Sequence, residues 1–308
     1  MKGKNFFIKF FCLLNLGCSS EKMIVEKVSD LVDRSQFNGV IMIYKANTPL
    51  YIKAKGFRDF STKTPFSLDD QFLVGSITKQ VVGMTVLDLI DNLPLDLHKR
   101  LTHTVTGEFV YSSQGYNEVA SIIAENTKTK FDELLMKTAK KGGMLHASLQ
   151  PSHTDCSHQE LLIHAPALVK GYDFRMQEEY QPFCKRSLTE NAAGGIIASA
   201  RDLIYWNESL YERKIWSDEK IATLLKPRVK FPHRVGELNY GYGIQTTENP
   251  LEYSHNGCVR GFLSTLMYYP DYKINVVILE NIFWSKDGQE PDFSRHDKIR
   301  EIIRQNLF

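Results

Sequence analysis

The sequence contains few cysteines, five among 308 residues. Cys12 and Cys18 lie in an N-terminal leader, which leaves Cys156, Cys184 and Cys258 for the rest of the chain. Because three is an odd number, these cysteines cannot form a complete disulfide framework. One bridge between Cys156 and Cys184 is possible in an oxidising compartment.

A surplus of charge of one sign is also absent. The 38 lysines and arginines nearly balance the 36 aspartates and glutamates, so the formal net charge is +2. No long run of lysine and arginine follows the leader, and we therefore exclude nucleic acid as a partner. With 43% hydrophobic and 24% charged residues, the composition is that of a folded globular protein.

Motifs for binding a metal are missing as well. His153, His158 and His164 lie close together in the sequence, but no paired cysteines and no His-Glu-x-x-His pattern accompany them. We interpret these histidines as solvated or packed side chains, and we expect neither a metal nor another cofactor.

The first twenty residues have the features of an export signal. Lys2 and Lys4 precede an apolar segment over residues 6–16, which Lys9 interrupts. The following Leu-Gly-Cys-Ser-Ser, whose cysteine is Cys18, resembles the lipobox of bacterial lipoproteins, in which the cysteine is lipidated. We expect a signal peptide or lipoprotein leader and an exported protein, either periplasmic or anchored to the membrane through Cys18. Plain signal cleavage and a short membrane anchor are the alternatives.

Hydrophobic periodicity divides the remaining chain, residues 21–308, into strands at both ends and helices between them. Apolar alternation and turn signals predict strands over 39–44, 50–55, 240–245, 251–255, 262–269 and 274–280. Helical spacing predicts helices over 22–36, 76–91, 116–124, 131–140, 200–211 and 294–307, with loops over 56–70 and 144–190. We expect one sheet from residues of about 21–70 and 200–308, and a mainly helical region of about 71–199 inserted between them.

The most informative stretch is FLVGSITK, residues 72–79, at the start of an apolar helical pattern. Ser76 and Lys79 are three residues apart, so a helix places them on one face with Cβ atoms roughly 5–6 Å apart. A serine hydroxyl becomes a nucleophile when a neighbouring base takes its proton, and a partly desolvated lysine amine can act as that base. This spacing also arises by chance, so the motif gains weight only from the rest of the chain.

Two further elements follow: VYSSQGY, which contains Tyr111 and Ser113, and His-Asn-Gly at residues 255–257. With Ser76-Ile77-Thr78-Lys79 they resemble the motifs of the serine β-lactamase and penicillin-binding family, in particular the branch of class C β-lactamases, D,D-peptidases and esterase-like proteins. The resemblance covers roughly residues 37–280 and implies a β-lactamase-like α/β (α+β) fold, in which helices flank an antiparallel sheet. Supporting matches are LTHTVTG (101–107), NAAGGIIASARDLIYW (191–206), YGYGI (240–244) and GF-x-S (261–264).

The resemblance implies catalytic roles for three residues. Ser76 is the expected nucleophile, and Lys79 and Tyr111 are expected to act together as its base through hydrogen bonds. An anionic Tyr111 would need neighbouring cations such as Lys79, because the free pKa of tyrosine is about 10. The structural alternative is that Tyr111 only packs against the nucleophile helix.

The expected substrate-binding residues are Ser113, His255, Asn256, Gly257 and Cys258. Ser113 stands where the family usually has asparagine, and its shorter side chain is expected to keep one bond to Lys79. His255 stands where many β-lactamases have lysine, and it is expected to be only partly charged at neutral pH. This difference shifts the expected activity from β-lactam hydrolysis toward a D,D-peptidase or an esterase. A histidine satisfied by the backbone is the structural alternative.

The end of the His-Asn-Gly strand is expected to hold the substrate through its backbone. Gly257 has no Cβ, which is expected to let the substrate lie along the strand. The backbone N–H groups of Ser76 and Cys258 are the expected oxyanion hole. The thiol of Cys258 is expected to pack rather than to react.

These elements predict a serine hydrolase that forms an acyl-enzyme with an ester, a D-amino-acid peptide or a β-lactam-like amide as its small-molecule or peptide substrate. Tyr111 lies only 32 residues after Lys79, a much shorter connection than in relatives. One wall of the pocket is therefore expected to be open or rebuilt by residues 144–190. The alternative is a catalytically weak or inactive protein with the same pocket, which binds a cell-wall peptide or a partner.

Overall fold

The computed structural model describes residues 19–89, 104–105, 108–109, 111–151, 162–163, 165–173, 178–180, 191–259, 261–285 and 290–307. The leader up to Cys18, the possible bridge between Cys156 and Cys184, and the three clustered histidines lie outside these ranges and stay predictions. Within these ranges, no helix is both long and apolar enough to cross a membrane.

The described α-helices are α1 (Ser19–Arg34), α2 (Thr78–Leu89), α3 (Ser113–Thr127), α4 (Phe131–Lys141), α5 (Asn191–Gly194), α6 (Ala200–Tyr211), α7 (Asp218–Leu225) and α8 (Ser294–Gln305). The described strands are β1 (Gly39–Lys45), β2 (Thr48–Lys55), β3 (Phe57–Asp59), β4 (Thr64–Pro65), β5 (Gln71–Leu73), β6 (Thr104–Val105), β7 (Glu108–Phe109), β8 (Ser148–Leu149), β9 (Gly171–Asp173), β10 (Glu178–Tyr180), β11 (Ile196–Ser199), β12 (Val229–His233), β13 (Gly236–Tyr240), β14 (Gln245–Glu248), β15 (Leu251–Val259), β16 (Phe262–Tyr269), β17 (Ile274–Glu280) and β18 (Ile282–Phe283).

Eight of these strands form one antiparallel sheet in the order β12-β13-β14-β15-β16-β17-β1-β2. The N-terminal hairpin β1-β2 joins the C-terminal strands through β17, from Gly39 opposite Glu280 to Lys45 opposite Ile274. The two ends of the chain therefore build one sheet, which confirms the predicted antiparallel fold with helices between the two strand regions.

Both faces of this sheet are buried. In β1, Ile41 and Ile43 pack in a cluster with apolar side chains of α1 and α8, whereas Val40 and Met42 pack in a cluster with side chains of α2 and α6. Fully burying a side chain of this size contributes about 1.5–3 kcal/mol. Burial on both sides explains why this strand is a continuous apolar run in the sequence rather than an alternating one.

The predicted boundaries agree with the structure for the strands at the centre of the sheet. Residues 262–269 and 274–280 are β16 and β17 as predicted. The predicted strand over 240–245 is wrong, because the amide of Gly241 donates to the carbonyl of Ile244 (2.9 Å) and turns the chain between β13 and β14. Strand β12, helix α7 and the hairpin β3-β4 were not predicted, since these segments are short and largely exposed.

Strand β5 leads the chain into a 3₁₀ turn (Gly75–Ile77) and then into α2. Strand β11 pairs with β5 and continues along this turn. The amide of Val74 donates to the Ile196 carbonyl (3.0 Å), and the amide of Ile196 donates to Oγ1 of Thr78 (3.2 Å). These bonds hold the chain before and after Ser76, so the nucleophile turn is fixed on the scaffold.

Buried ion pairs fasten α8 to the sheet. Glu252 lies between Arg300 (3.1 Å) and Arg304 (2.9 Å), and Glu280 accepts from Arg295 (2.9 Å). Removing one partner of such a buried pair typically costs about 3–5 kcal/mol, because the other charge remains without compensation. The C-terminal helix is therefore an integral part of the fold.

Candidate active site

The predicted nucleophile and its base lie in contact at the start of α2. Lys79 Nζ is 3.1 Å from Ser76 Oγ, and it also contacts the carbonyl oxygen of Ala193 (2.6 Å) and Oγ of Ser113 (3.4 Å). The Lys79 side chain is fully buried. A neutral amine has two N–H groups and one lone pair, so it can donate to Ala193 and Ser113 and accept the Ser76 proton.

Tyr111 joins this pair from the segment before α3. Its ring centroid is 5.0 Å from Lys79 Nζ, and its hydroxyl faces Ser76. Although 42% of Tyr111 is exposed, its hydroxyl end is turned inward, and burial raises the pKa of the phenol well above its usual value of about 10. Tyr111 is therefore protonated at neutral pH, and the anionic form considered from the sequence is not the resting state.

Ser113 is the first residue of α3 and contacts Lys79 through a single bond. The N-cap Ser112 accepts from the amide of Gly115 (3.2 Å) and fixes the start of the helix. The hydroxyl of Ser113 is thereby held 3.4 Å from Lys79 Nζ. This is the one bond to lysine expected of serine at an asparagine position, and a role of Ser113 in substrate binding stays a prediction.

His255 lies on β15, and both of its ring nitrogens are occupied. Nδ1 is 2.6 Å from the carbonyl oxygen of Asn256, and Nε2 is 3.2 Å from the hydroxyl of Tyr240. Burial, with a smaller effect of the Lys79 charge, lowers the pKa of His255 to about 3. The imidazole is therefore neutral at pH 7, which corrects the expected partial charge, and neither nitrogen is available to a substrate carboxylate.

The side chain of Asn256 lies on the face of the sheet opposite to His255. Its Oδ1 accepts a hydrogen bond from Thr265 (2.8 Å), whose hydroxyl also contacts Nδ1 of His296 on α8 (2.7 Å). Successive residues of a strand point to opposite faces, so the Asn256 amide points away from Ser76. The structure thus removes the Asn256 side chain from the expected substrate-binding wall.

Two glycines let β15 and the nucleophile turn touch through their backbones. A Cβ on Gly257 would lie 2.0 Å from the carbonyl oxygen of Val74 and 2.3 Å from Oγ of Ser264. A Cβ on Gly75, whose φ is +54°, would lie 2.8 Å from the amide nitrogen of Cys258. Glycine at position 257 is therefore required by the turn that packs against it. This corrects the reason expected from the sequence, which was room for a substrate.

The backbone N–H of Cys258 is directed toward the nucleophile turn. Two residues join β15 to β16, so Val259 and Phe262 form the closing pair of the hairpin. The closing pair of such a hairpin exchanges both hydrogen bonds and the next pair exchanges none, so the Cys258 N–H points away from β16. Strand β14 pairs only with the beginning of β15, which leaves this edge open beside Gly75.

The backbone N–H groups of Ser76 and Cys258 thus form a candidate oxyanion hole. Ser76 lies in the first turn of its helix, where N–H groups have no acceptor within the helix. Such donors stabilise the negative charge of a tetrahedral intermediate. Burial raises the pKa of the Cys258 thiol to about 12, so the thiol is not a second nucleophile at neutral pH.

Three groups at the site were missed from the sequence. The carbonyl of Ala193 accepts from Lys79, the ring of Tyr116 lies 5.3 Å from Lys79 Nζ, and the hydroxyl of Tyr240 lies 3.3 Å from that of Tyr116. All three belong to stretches that match the family, NAAGG, VYSSQGY and YGYGI. These matches were the available signal, but no spacing in the sequence shows that the stretches meet.

Ser76, Lys79 and Tyr111 meet beside β15, the strand that contains Gly257. A comparison of the whole sequence with known families agrees with this arrangement. The family described as Beta-lactamase matches residues 24–108 and 98–299. The chain belongs to the Beta-lactamase family. This β-lactamase-family chain contains, in its described part, no group of three or more His, Cys, Asp or Glu side chains placed to hold a metal ion.

A curated relative of this β-lactamase-family chain is the putative penicillin-binding protein PbpX of Bacillus subtilis (strain 168), which is 23% identical over 201 residues. The match covers 65% of this chain and 46% of the relative, so the chain spans under half of the relative's length.

Solved structures share the fold at low sequence identity. A penicillin binding protein from Bacillus halodurans has a TM-score of 0.73 at 16% identity, with 91% of this chain and 99% of that chain covered. FmtA from Staphylococcus aureus has a TM-score of 0.72 at 19% identity, with 93% and 88% covered. D-amino acid amidase from Ochrobactrum anthropi SV3 has a TM-score of 0.70 at 16% identity, with 94% and 100% covered.

The contact between β15 and the nucleophile turn predicts the effect of Gly257→Ala. The new Cβ would overlap the Val74 carbonyl, so we expect the free energy of unfolding to fall by about 2–3 kcal/mol. Separation of the two backbones would also displace an oxyanion donor, and we expect the acylation rate to fall by about 10²–10³-fold. Chemical denaturation and reaction with an activated ester measure the two effects.

The matched control is Gly236→Ala at the first residue of β13, directly after the turn from β12. A Cβ there meets nothing within 4 Å, and only the strained φ of +109° remains. We expect a loss of about 1–2 kcal/mol and an unchanged acylation rate. Equal acylation rates for Gly257→Ala and Gly236→Ala would contradict the assigned role of the contact.

Proposed function

We propose that this protein is a serine hydrolase that forms an acyl-enzyme on Ser76. One observation carries the proposal: Lys79 Nζ lies 3.1 Å from Ser76 Oγ, and the Tyr111 hydroxyl faces the same side chain. A nucleophile, a base and a proton donor therefore meet at Ser76, beside two backbone N–H groups that can hold an oxyanion.

The proposed reaction begins when Lys79 takes the proton of Ser76 and Oγ attacks the substrate carbonyl. A C–O bond forms, and the carbonyl oxygen becomes an oxyanion held by the N–H groups of Ser76 and Cys258. The intermediate then expels its amine or alcohol, which leaves with the proton delivered through the Tyr111 hydroxyl. Water attacks the acyl-enzyme in the same way, and the proton returns to Ser76.

The proposed substrates are amides or esters without a carboxylate next to the scissile bond. His255 occupies the position where a cationic lysine would stand, yet it is neutral and bonded to Asn256 and Tyr240. A carboxylate placed there would lose its hydration without gaining a cation from this residue. The fold shared with D-amino acid amidase supports a D-amino-acid amide or ester as the first class to examine.

Covalent labelling tests the nucleophile directly. A fluorophosphonate is expected to label wild-type protein on Ser76, Ser76→Ala to abolish the label, and Lys79→Met to slow labelling by about 10²-fold or more, since the base is lost. Mass spectrometry of the digested protein locates the label. The matched control is Ser121→Ala, because the Ser121 hydroxyl only donates to Asn117 within α3 (3.2 Å).

An unlabelled, folded wild-type protein would contradict the hydrolase proposal. It would favour the alternative of an inactive pocket that binds a cell-wall peptide or a partner. The single bond between Ser113 and Lys79 is the observation that favours this alternative.

A matched pair of substrates tests the proposed selectivity. We compare an acylated D-alanyl-D-alanine with the same peptide bearing a C-terminal amide, so that only the charge differs. Without a cation at position 255, we expect kcat/KM to be at least about tenfold higher for the amide, a difference of about 1.4 kcal/mol. A clear preference for the carboxylate would contradict the proposed substrate class.

A further inference from the structure

Three buried side chains form a continuous hydrogen-bond chain behind the site. The hydroxyl of Tyr116 on α3 lies 3.3 Å from the hydroxyl of Tyr240 on β13, which lies 3.2 Å from Nε2 of His255 on β15. All three side chains are at most 2% exposed. The chain therefore links a helix to two strands in a region that excludes water.

The direction of every bond in this hydrogen-bond chain follows from its His255 end. Nδ1 of His255 faces the carbonyl oxygen of Asn256 at 2.6 Å, and a carbonyl only accepts, so Nδ1 carries the hydrogen. Nε2 of the neutral imidazole then only accepts, and the single hydrogen of the Tyr240 hydroxyl is used in this bond. Tyr116 consequently donates to Tyr240, and Tyr240 donates to Nε2 of His255.

This direction holds His255 in one neutral tautomer. A proton on Nε2 would point at the hydrogen of the Tyr240 hydroxyl and would force the hydroxyl groups of Tyr240 and Tyr116 to turn round. The other ionisable groups around the imidazole are Lys79 on α2, Tyr111 and Tyr116 from the α3 side, and His233 on β12. Both Lys79 and His233 act against a second positive charge at this position.

The same hydrogen-bonded side chains, Tyr116, Tyr240 and His255, form the buried surface against which Tyr111 packs. This surface is called the wall below. The ring of Tyr111 meets the ring of Tyr240 edge-on, with centroids 5.9 Å apart at 81°, and lies 6.1 Å from the ring of His255. Lys79 Nζ lies 5.0 Å from the ring of Tyr111 and 5.3 Å from that of Tyr116. Because Tyr111 is 42% exposed, this wall is what fixes its orientation on the inner side.

We propose that Tyr240 is a positioning residue: through its bonds to Tyr116 and His255 it holds the Tyr111 phenol against Ser76. The inference rests on the proposed hydrolase function. Tyr240 acts through its ring contact with Tyr111. A residue that only filled space could be replaced by phenylalanine without effect, whereas a residue that orients a wall through its hydroxyl could not.

The test is Tyr240→Phe in the full chain, which keeps the ring and removes both hydrogen bonds. We expect labelling of Ser76 by a fluorophosphonate to slow by about tenfold or more, and kcat for an activated ester to fall in proportion with KM unchanged within about twofold. Without the Tyr240 hydroxyl, neutral His255 loses the hydrogen-bond donor to its Nε2. We therefore expect the pKa of His255 to be higher than in wild type. The pH profile of the ¹⁵N chemical shift of Nε2 should therefore move to higher pH.

Tyr242→Phe is the matched control, because Tyr242 is also fully buried and lies two residues away. We expect its labelling rate and pH profile to equal those of wild type. Should Tyr240→Phe fail to fold by circular dichroism, Tyr116→Phe removes only the outer bond and is expected to slow labelling in the same direction.

The outcomes separate the two proposals. Absence of label on wild-type Ser76 would overturn the proposed function and the positioning role with it. Equal labelling rates and equal pH profiles for wild type and Tyr240→Phe, with Ser76 labelled in both, would overturn the positioning role alone. A loss in Tyr242→Phe as large as in Tyr240→Phe would also overturn it, since general loosening of the wall would then explain both.

Discussion

The site depends on direct backbone contact between the nucleophile turn and strand β15. Ser264 Oγ donates to the carbonyl of Val74 (2.8 Å), and neither Gly75 nor Gly257 has a Cβ to keep the two segments apart. This contact places the amide of Cys258 beside the turn that carries Ser76. A side chain at either glycine would separate the two N–H groups of the candidate oxyanion hole, so the chemistry is built on a packing constraint.

Tyr111 and His255, the two side chains near the nucleophile for which the family resemblance suggested a charge, are both neutral. Tyr111 keeps its proton because its hydroxyl is buried, and His255 stays neutral because its side chain is fully buried. With both partners neutral, the Lys79 amine is the group placed to take the proton from Ser76. The proposed role of the hydrogen-bond chain through Tyr240 fits this arrangement, since the chain holds the neutral imidazole of His255 and supports the ring of Tyr111.

Much of the fold follows from the sequence because the central strands are buried on both faces. Residues 262–269 and 274–280 are largely apolar and buried throughout, and their boundaries were predicted correctly. The boundaries over 240–245 were not, because the short turn at Gly241 interrupts a segment that is buried throughout. Hydrophobic pattern identifies what is buried, but it does not show where a buried chain changes direction.

The sequence predicted the contacts of the site between residues that are close in the sequence. The prediction was incomplete for contacts between residues that are far apart in the sequence. The helical spacing of Ser76 and Lys79 follows from local geometry, and the 3.1 Å contact agrees with it. The orientation of Asn256 depends on strand register, and the neutrality of His255 depends on burial by segments far away in the chain. Tyr116 and Tyr240 meet across 124 positions of sequence, which no local pattern encodes.

The most direct measurement of the central claim is a crystal structure of the protein with an arylboronic acid, which mimics the tetrahedral intermediate when a serine attacks boron. The account predicts a covalent bond from Ser76 Oγ to boron, with one boronate oxygen accepting hydrogen bonds from the backbone N–H groups of Ser76 and Cys258. Lys79 Nζ and the Tyr111 hydroxyl should remain next to Ser76 Oγ. Boron bound at another residue, or a boronate on Ser76 whose oxygens point away from the Cys258 amide, would contradict the account.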